Sequence, residues 1–78
     1  MQIELRVYTG LERFTGTKYG ERIPLVMTEG STILDILKKY DIPEAEVFSS
    51  LVNGLHKPFD AKLQEGDRVA LFPPVGGG

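Results

Sequence analysis

Residues 29–41 (EGSTILDILKKYD) form the segment of the chain whose apolar residues follow the period of an α-helix. Their apolar side chains occupy positions i, i+3, i+4 and i+7, which are Ile33, Ile36, Leu37 and Tyr40. Ser31 or Thr32 can serve as the N-cap, and Asp35 follows Thr32 at capping-box spacing, while Pro43 prevents further helix. One amphipathic helix in a chain of 78 residues needs strands to cover its apolar face, so this segment predicts an α+β domain.

Two segments before the helix alternate apolar and polar residues and predict strands. Residues 2–8 place Ile3, Leu5 and Val7 on one face and Gln2, Glu4 and Arg6 on the other. Residues 22–28 repeat the alternation and predict a second strand that forms a hairpin with the first. Pro24 has no N–H to donate to a neighbouring strand. It fits a strand position whose N–H would otherwise face solvent. The glycine-rich residues 9–21 between them predict a turn or a long loop.

Two or more short strands are predicted after the helix. Leu51 and Val52 lead into Asn53-Gly54, a pair typical of a tight hairpin because both central residues of a type I′ turn need positive φ. After a turn at Gly66, the last strand carries Val69 and Leu71 on one face and Ala70 and Phe72 on the other. It must end at Pro73 and Pro74, which have no N–H to donate.

This element order predicts how the chain folds. A hairpin, a crossing helix and a final strand beside the first give a mixed sheet of four to five strands with one main helix across it. That is an α+β roll of the β-grasp (ubiquitin-like) kind. Residues 1–74 would form the domain and residues 75–78 a flexible glycine tail.

Composition and charge exclude several classes of function. A net charge of −2 is not the basic footprint of a nucleic-acid-binding protein. No segment has the length and apolarity of a signal peptide or a membrane span, so we expect a cytoplasmic protein and no membrane partner. The absence of cysteine rules out disulfides, thiolate nucleophiles and cysteine-ligated zinc, and a single histidine (His56) makes a histidine-rich metal site impossible. We therefore expect no metal site, and any reactive group must be a carboxylate, a lysine or a chain terminus.

The glycine tail is the candidate for that reactive group. Pro73-Pro74 would hold the chain extended as it leaves the sheet, and Gly76-Gly77-Gly78 would form a slim tip that can enter a narrow channel. The alternative is an inert, frayed end, which is common at chain termini.

The segments TGLERFTG, GSTILDILKKY and VNG, followed by LQEGDRVALFPPVGGG, resemble the MoaD/ThiS family of ubiquitin-like sulfur carriers over nearly the whole chain. The closing pattern GDxVALFPPVxGG is the most specific part. Its FPPV is similar to the MoaD branch, the small subunit of molybdopterin synthase. Gly76 departs from that branch, which often has alanine or serine there, and a triple glycine also occurs in ThiS-like carriers. This departure leaves the pathway open.

The resemblance implies a role for each tail residue. Gly78 matches the terminal glycine whose carboxylate is adenylated and then converted to a thiocarboxylate, and Gly77 matches the penultimate glycine. Pro73, Pro74 and Val75 match the stalk that inserts into partner active sites. Together with Gly76 and Phe72, these residues would bind partners. Packing beneath the loop remains the alternative role for Phe72.

The partners implied by the resemblance are an adenylating activating enzyme (MoeB/ThiF-like), a larger synthase subunit (MoaE-like) and a sulfur donor such as a cysteine desulfurase. The chain itself would bind no cofactor, because ATP and Mg²⁺ would be supplied at the activating enzyme, and it would act as a co-substrate. Three alternatives remain: a carrier for thiamine, tRNA thiolation or cysteine synthesis; a ubiquitin-like modifier conjugated through Gly78; and an interaction domain with an inert tail.

Two further features are interpreted as structural. Asp60, Glu65 and Asp67 precede the last strand and are expected to serve turns and solvation, with docking as the alternative. His56 is expected to be an exposed strand residue without a chemical role.

Overall fold

The computed structural model describes residues 1–74, which form five strands and two α-helices. The strands are β1 (Gln2–Val7), β2 (Ile23–Val26), β3 (Ser49–Val52), β4 (Leu55–His56) and β5 (Arg68–Phe72). The helices are α1 (Glu12–Thr15) and α2 (Ile33–Lys39), and a 3₁₀ turn spans Glu44–Glu46.

The strands form one mixed sheet in the order β2-β1-β5-β3-β4. β1 pairs with β2 antiparallel and with β5 parallel, whereas β3 pairs antiparallel with both β5 and β4. β5 is therefore the central strand, and the predicted return of the last strand beside the first is confirmed. The turn between β3 and β4 has positive φ at Asn53 (53°) and Gly54 (83°), as the sequence predicted.

Helix α2 crosses one face of the sheet. Its N-cap is Thr32, whose backbone N–H donates to the carboxylate of Asp35 at 2.8 Å. The predicted capping box is thus confirmed, with aspartate in the position usually held by glutamate. Apolar side chains from α2, the strands and the loops fill the space between helix and sheet. This core consists of Ile3, Leu5, Val7, Leu11, Leu25, Ile33, Ile36, Leu37, Ile42, Val47, Val52, Leu63, Val69 and Leu71.

The segment between β1 and β2 is more ordered than the turn or long loop that its glycines predicted. It contains α1, whose end is marked by Gly16 in the left-handed region. Arg13 of this helix forms an ion pair with Glu46 of the 3₁₀ turn. A helix of four residues completes barely one turn. It is too short for its apolar residues to show a helical periodicity in the sequence.

Candidate functional site

The glycine tail leaves the domain at the end of the central strand, at Phe72, Pro73 and Pro74, which we call the tail root. The carbonyl of Leu71 accepts a hydrogen bond from the Tyr8 N–H (3.2 Å), and that of Phe72 accepts one from the Phe48 N–H (2.9 Å). Pro73 and Pro74 follow, and because neither has an N–H the ladder ends there, as predicted. The residue after β1 and the residue before β3 thus hold the chain on both sides up to the residue before the diproline.

Phe72 lies on the face of the sheet that is turned away from α2, which we call the outer face. Burial alternates along β5, with Val69 and Leu71 in the core and Ala70 and Phe72 on the outer face. Phe72 is half-buried and is not part of the core. The face assignment made from the sequence is confirmed, while the role of Phe72 in docking stays a prediction.

Phe72 belongs to an aromatic cluster that consists of Tyr8, Tyr19 and Phe72. The rings of Tyr8 and Phe72 stack with centroids 4.5 Å apart and planes 6° apart. Tyr19 meets Tyr8 edge-on, with centroids 5.1 Å apart. Stacked and edge-to-face arrangements are both electrostatically favourable for aromatic rings. These contacts therefore hold the Phe72 ring in place beside the tail root.

A backbone hydrogen bond at Gly20 joins the loop that carries Tyr19 to β1. The Gly20 N–H donates to the Val7 carbonyl at 2.9 Å. Gly20 has φ +66°, and a Cβ at this position would lie 3.0 Å from the Tyr8 ring. Both the backbone conformation and the close approach require glycine. The position of Tyr8, and with it the packing of Phe72, therefore depends on this loop.

The other half of the outer face is charged. The Glu4 carboxylate accepts from the Nε atoms of both Arg6 and Arg22, each at 3.0 Å. The hydrogen bond and negative charge of Glu4 raise the pKa of the Arg6 guanidinium above its ordinary value. Arg68 lies beside this pair and forms no ion pair within residues 1–74. We call Glu4, Arg6, Arg22 and Arg68 the arginine cluster.

Of the three acidic residues before β5, Glu65 and Asp67 accept hydrogen bonds within the domain, and Asp60 is exposed. Asp67 is buried, and its carboxylate accepts from the Gln64 N–H at 2.8 Å and from Asn53 Nδ2 at 2.9 Å. Glu65 accepts from the Gln2 N–H at 3.1 Å. Turn stabilisation, as interpreted from the sequence, is confirmed for Asp67. Across residues 1–74, no group of three or more histidine, cysteine or acidic side chains is placed to hold a metal ion.

His56 is an exposed residue of β4, as expected, and its Nδ1 lies 3.2 Å from the Ser49 hydroxyl. In the part of the chain that the structure describes, no helix is long and apolar enough to cross a membrane.

Three aromatic residues near the tail root were not singled out from the sequence. Tyr8 and Tyr19 complete the aromatic cluster, and Phe48, whose N–H binds the Phe72 carbonyl, is 75% exposed. Tyr8 could have been found, because it continues the Gln2–Glu4–Arg6 alternation and so falls on the outer face. Tyr19 and Phe48 have no such periodicity, because they lie outside the strands.

The predicted residues of the tail are only in part within the described chain. Phe72, Pro73 and Pro74 are brought together at the end of β5, with Pro73 half-buried and Pro74 exposed. Val75, Gly76, Gly77 and Gly78 lie outside the described residues. Within the described residues, the candidate site is therefore the surface around Phe72, Pro73 and Pro74.

Comparisons with known proteins agree with this architecture. The sequence model of the ThiS family matches residues 6–78. No curated protein matches the chain at a significant level.

Solved structures of similar fold include proteins from archaea and bacteria. SAMP1 from Haloferax volcanii is 24% identical, with a TM-score of 0.74 and full coverage of both chains. A putative molybdopterin converting factor subunit 1 from Pyrococcus furiosus is 20% identical, with a TM-score of 0.71 and coverage of 96% of this chain and 99% of that one. A chain in the complex of subunits 1 and 2 of the molybdopterin-converting factor from Helicobacter pylori 26695 is 21% identical, with a TM-score of 0.63 and full coverage of both chains.

At these identities the structures establish the shared β-grasp fold, which the sequence predicted, and the family match establishes kinship over nearly the whole chain. The chain therefore belongs to the ThiS family of ubiquitin-like proteins.

Proposed function

We propose that the chain is a sulfur carrier that is adenylated and thiocarboxylated at Gly78 and donates sulfur in molybdopterin synthesis as the small subunit of the synthase. The observation that carries the proposal is the combination of a ThiS-family match reaching Gly78 with a tail root anchored in the central strand. Such an anchor gives a partner a fixed surface beside the residues it must capture. The FPPV motif supports the molybdopterin branch.

The chemistry needs activation, because a carboxylate oxygen is a poor leaving group. The Gly78 carboxylate would attack the α-phosphorus of ATP in the activating enzyme, releasing pyrophosphate and forming an acyl-adenylate. Sulfur at the oxidation level of hydrosulfide would then displace AMP and leave a thiocarboxylate. The chain contributes the reactive end and the docking surface, while Mg²⁺, ATP and acid–base groups belong to the partners.

The test is the intact mass of the purified chain after incubation with ATP, its cognate activating enzyme and a sulfur donor. We expect a gain equal to the replacement of one oxygen by sulfur, and no gain in a chain lacking Gly78. Thermal unfolding of both chains checks that the deletion leaves the domain folded. An unmodified full-length chain, alongside a known carrier converted in parallel, would contradict the proposal.

A second function, ubiquitin-like modification of lysines, is favoured by one observation. A structure of similar fold, 23% identical with a TM-score of 0.71, is the small archaeal modifier protein 1 of H. volcanii. Modification would join Gly78 to lysines through an isopeptide bond. The two functions differ in a direct way, because isopeptide adducts survive thiol reductants, and a carrier that is only a carrier forms none.

A further inference from the structure

Asn53 extends the pairing of β3 with β5 by one residue. The register that pairs Val52 with Val69 brings Asn53 opposite Arg68, and the Asn53 N–H donates to the Arg68 carbonyl at 2.8 Å. The positive φ of Asn53 (53°) turns the chain into the β3–β4 hairpin. The Arg68 N–H donates to the side-chain Oδ1 of Asn53 at 3.0 Å. The carboxamide thus takes the place that a main-chain carbonyl has in an antiparallel ladder.

The nitrogen of the same carboxamide binds a buried carboxylate. Asn53 Nδ2 donates to Asp67 Oδ1 at 2.9 Å, and the Gln64 N–H donates to Asp67 Oδ2 at 2.8 Å. Asp67 is 8% exposed, so its charge depends on such donors. An amide at position 53 both donates to Asp67 and accepts from the Arg68 N–H, whereas an ionised carboxylate there could only accept.

Gly54 follows Asn53 and leaves the Asn53 side chain open to attack from the main chain. A Cβ at Gly54 would meet nothing within 4 Å, and both residues are exposed to solvent. No side chain at position 54 therefore hinders the approach of the Gly54 nitrogen to Asn53 Cγ. What opposes this approach is the pair of hydrogen bonds that holds the carboxamide on Asp67 and Arg68.

We propose that Asn53 is a site of spontaneous deamidation, that it reacts when the β3–β4 hairpin opens, and that its product does not fit beside Asp67. The Gly54 nitrogen attacks Asn53 Cγ and gives up its proton, and the amide nitrogen leaves as ammonia, which produces a five-membered succinimide. Water then opens the ring to aspartate, or to isoaspartate, in which the main chain runs through Cβ. The net change is the uptake of one water and the release of one ammonia. The site lies at the opposite end of β5 from the tail, so the proposal is independent of sulfur transfer.

The hairpin can open without disrupting the core. Strand β4 has two residues, both exposed, and lies at the edge of the sheet. Segments with few buried contacts open locally, at a lower free energy than global unfolding. The native domain should therefore deamidate at a rate reduced by the fraction of time that the hairpin is closed, whereas the unfolded chain reacts freely.

Deamidation replaces a hydrogen bond by two facing carboxylates. Like charges at this distance cannot both stay ionised without a large cost, and Asp67 is buried. Lys57, Lys62 and Arg68 border Asn53 in the two adjoining grooves, but all three are exposed, so solvent screens their charges. The modified domain should therefore be less stable than the original one.

The first test follows the wild-type chain at mildly alkaline pH, folded and in guanidinium chloride, by ammonia release and anion-exchange chromatography. Asn53 is the only asparagine of the chain, and peptide mass analysis checks that the new negative charge is at this position. We expect the folded chain to react at least about tenfold more slowly than the unfolded chain. Equal rates would overturn the control by the hairpin, and an unreactive unfolded chain would overturn the site itself.

The second test measures the stability of the product. Asn53→Asp reproduces the aspartate form, and Gln64→Glu is its matched control, because it also changes an exposed amide to a carboxylate. The Gln64 N–H still donates to Asp67 in the control. We expect Asn53→Asp to lower Tm by about 4–8 °C and Gln64→Glu to melt like the wild type. Equal Tm values for the two variants would contradict the conflict with Asp67.

The third test exchanges the two side chains in the double variant Asn53→Asp/Asp67→Asn. All three hydrogen bonds can be kept, because the amide introduced at position 67 can donate to the new carboxylate and accept from the Gln64 N–H. We expect this variant to regain most of the lost Tm and to resist deamidation, since its asparagine precedes Arg68 instead of a glycine. It also decides the matter if Asn53→Asp alone does not fold. A double variant no more stable than Asn53→Asp would overturn the role of Asp67.

Discussion

Substituting alanine for Gly20 should show how strongly the loop between β1 and β2 controls the aromatic cluster. A Cβ at Gly20 (φ +66°) would lie 3.0 Å from the Tyr8 ring. The matched control is Gly16→Ala, because Gly16 has a similar φ of +73° but open space within 4 Å of the point that a Cβ would occupy. Both variants carry the cost of a left-handed alanine. Only Gly20→Ala adds a collision with a ring.

The expected loss in the free energy of unfolding follows from the backbone strain and from the collision with the Tyr8 ring. An L-residue in the left-handed region loses about 1–2 kcal/mol, partly offset by about 0.4–1 kcal/mol from the restricted unfolded chain. Gly16→Ala should therefore lower the free energy of unfolding by about 1 kcal/mol. Carbon atoms pack best at about 3.5–4.0 Å, so in Gly20→Ala the Tyr8 ring must move by roughly half an ångström. Weakening its contacts with Phe72 and Tyr19 should add about 1 kcal/mol.

Thermal and urea unfolding measure the difference between the two variants. For a domain of this size, about 1 kcal/mol lowers Tm by about 4–8 °C, so Gly20→Ala should melt about 4–8 °C below Gly16→Ala. Near-ultraviolet circular dichroism should report the displaced tyrosine in Gly20→Ala alone. In a Tyr8→Ala background the difference between the two variants should vanish. Equal losses in the wild-type background would refute the claim that Gly20 is required by its contact with Tyr8.

Two further substitutions test the hydrogen bonds of the Asn53 side chain at the start of β5 and the surface at the tail root. Asn53→Gly removes the side-chain donor to the buried Asp67 carboxylate and the acceptor of the Arg68 N–H, and glycine tolerates the positive φ of this position, so chemical denaturation should show a loss of about 1–3 kcal/mol; an unchanged midpoint would disprove this role. Phe72→Ala should lower stability by only about 1 kcal/mol through the lost ring stacking, and weaken binding of the larger synthase subunit about tenfold. Val26→Ala, a truncation of a 77% exposed side chain on edge strand β2, is its control for binding, and equal affinity of the two variants would remove Phe72 from the interface.

The sequence by itself determined most of the strands, helix α2 and the point at which the glycine tail leaves the domain. Alternation in residues 2–8 and the helical period of α2 depend on neighbours in the chain, so they can be read without the fold. The Asn53-Gly54 turn and the diproline stop are local in the same sense, because each follows from the φ values or donors of its own residues. Where the element was too short for a period, as in α1, the sequence predicted only a loop.

The tertiary structure alone decided which side chains meet on the outer face. Tyr8 and Phe72 come from opposite ends of the chain and stack because β1 and β5 pair in parallel with one particular register. The same pairing sets Ala70 between Arg6 and Leu51 and places Arg68 opposite Glu4, whose carboxylate pairs with Arg6 and Arg22. A shift of β5 by one residue would turn Arg68, Ala70 and Phe72 to the other face. Register depends on the whole sheet and its core, so the contacts on the outer face could not be predicted from local patterns, whereas the sequence of the tail is evident without the fold.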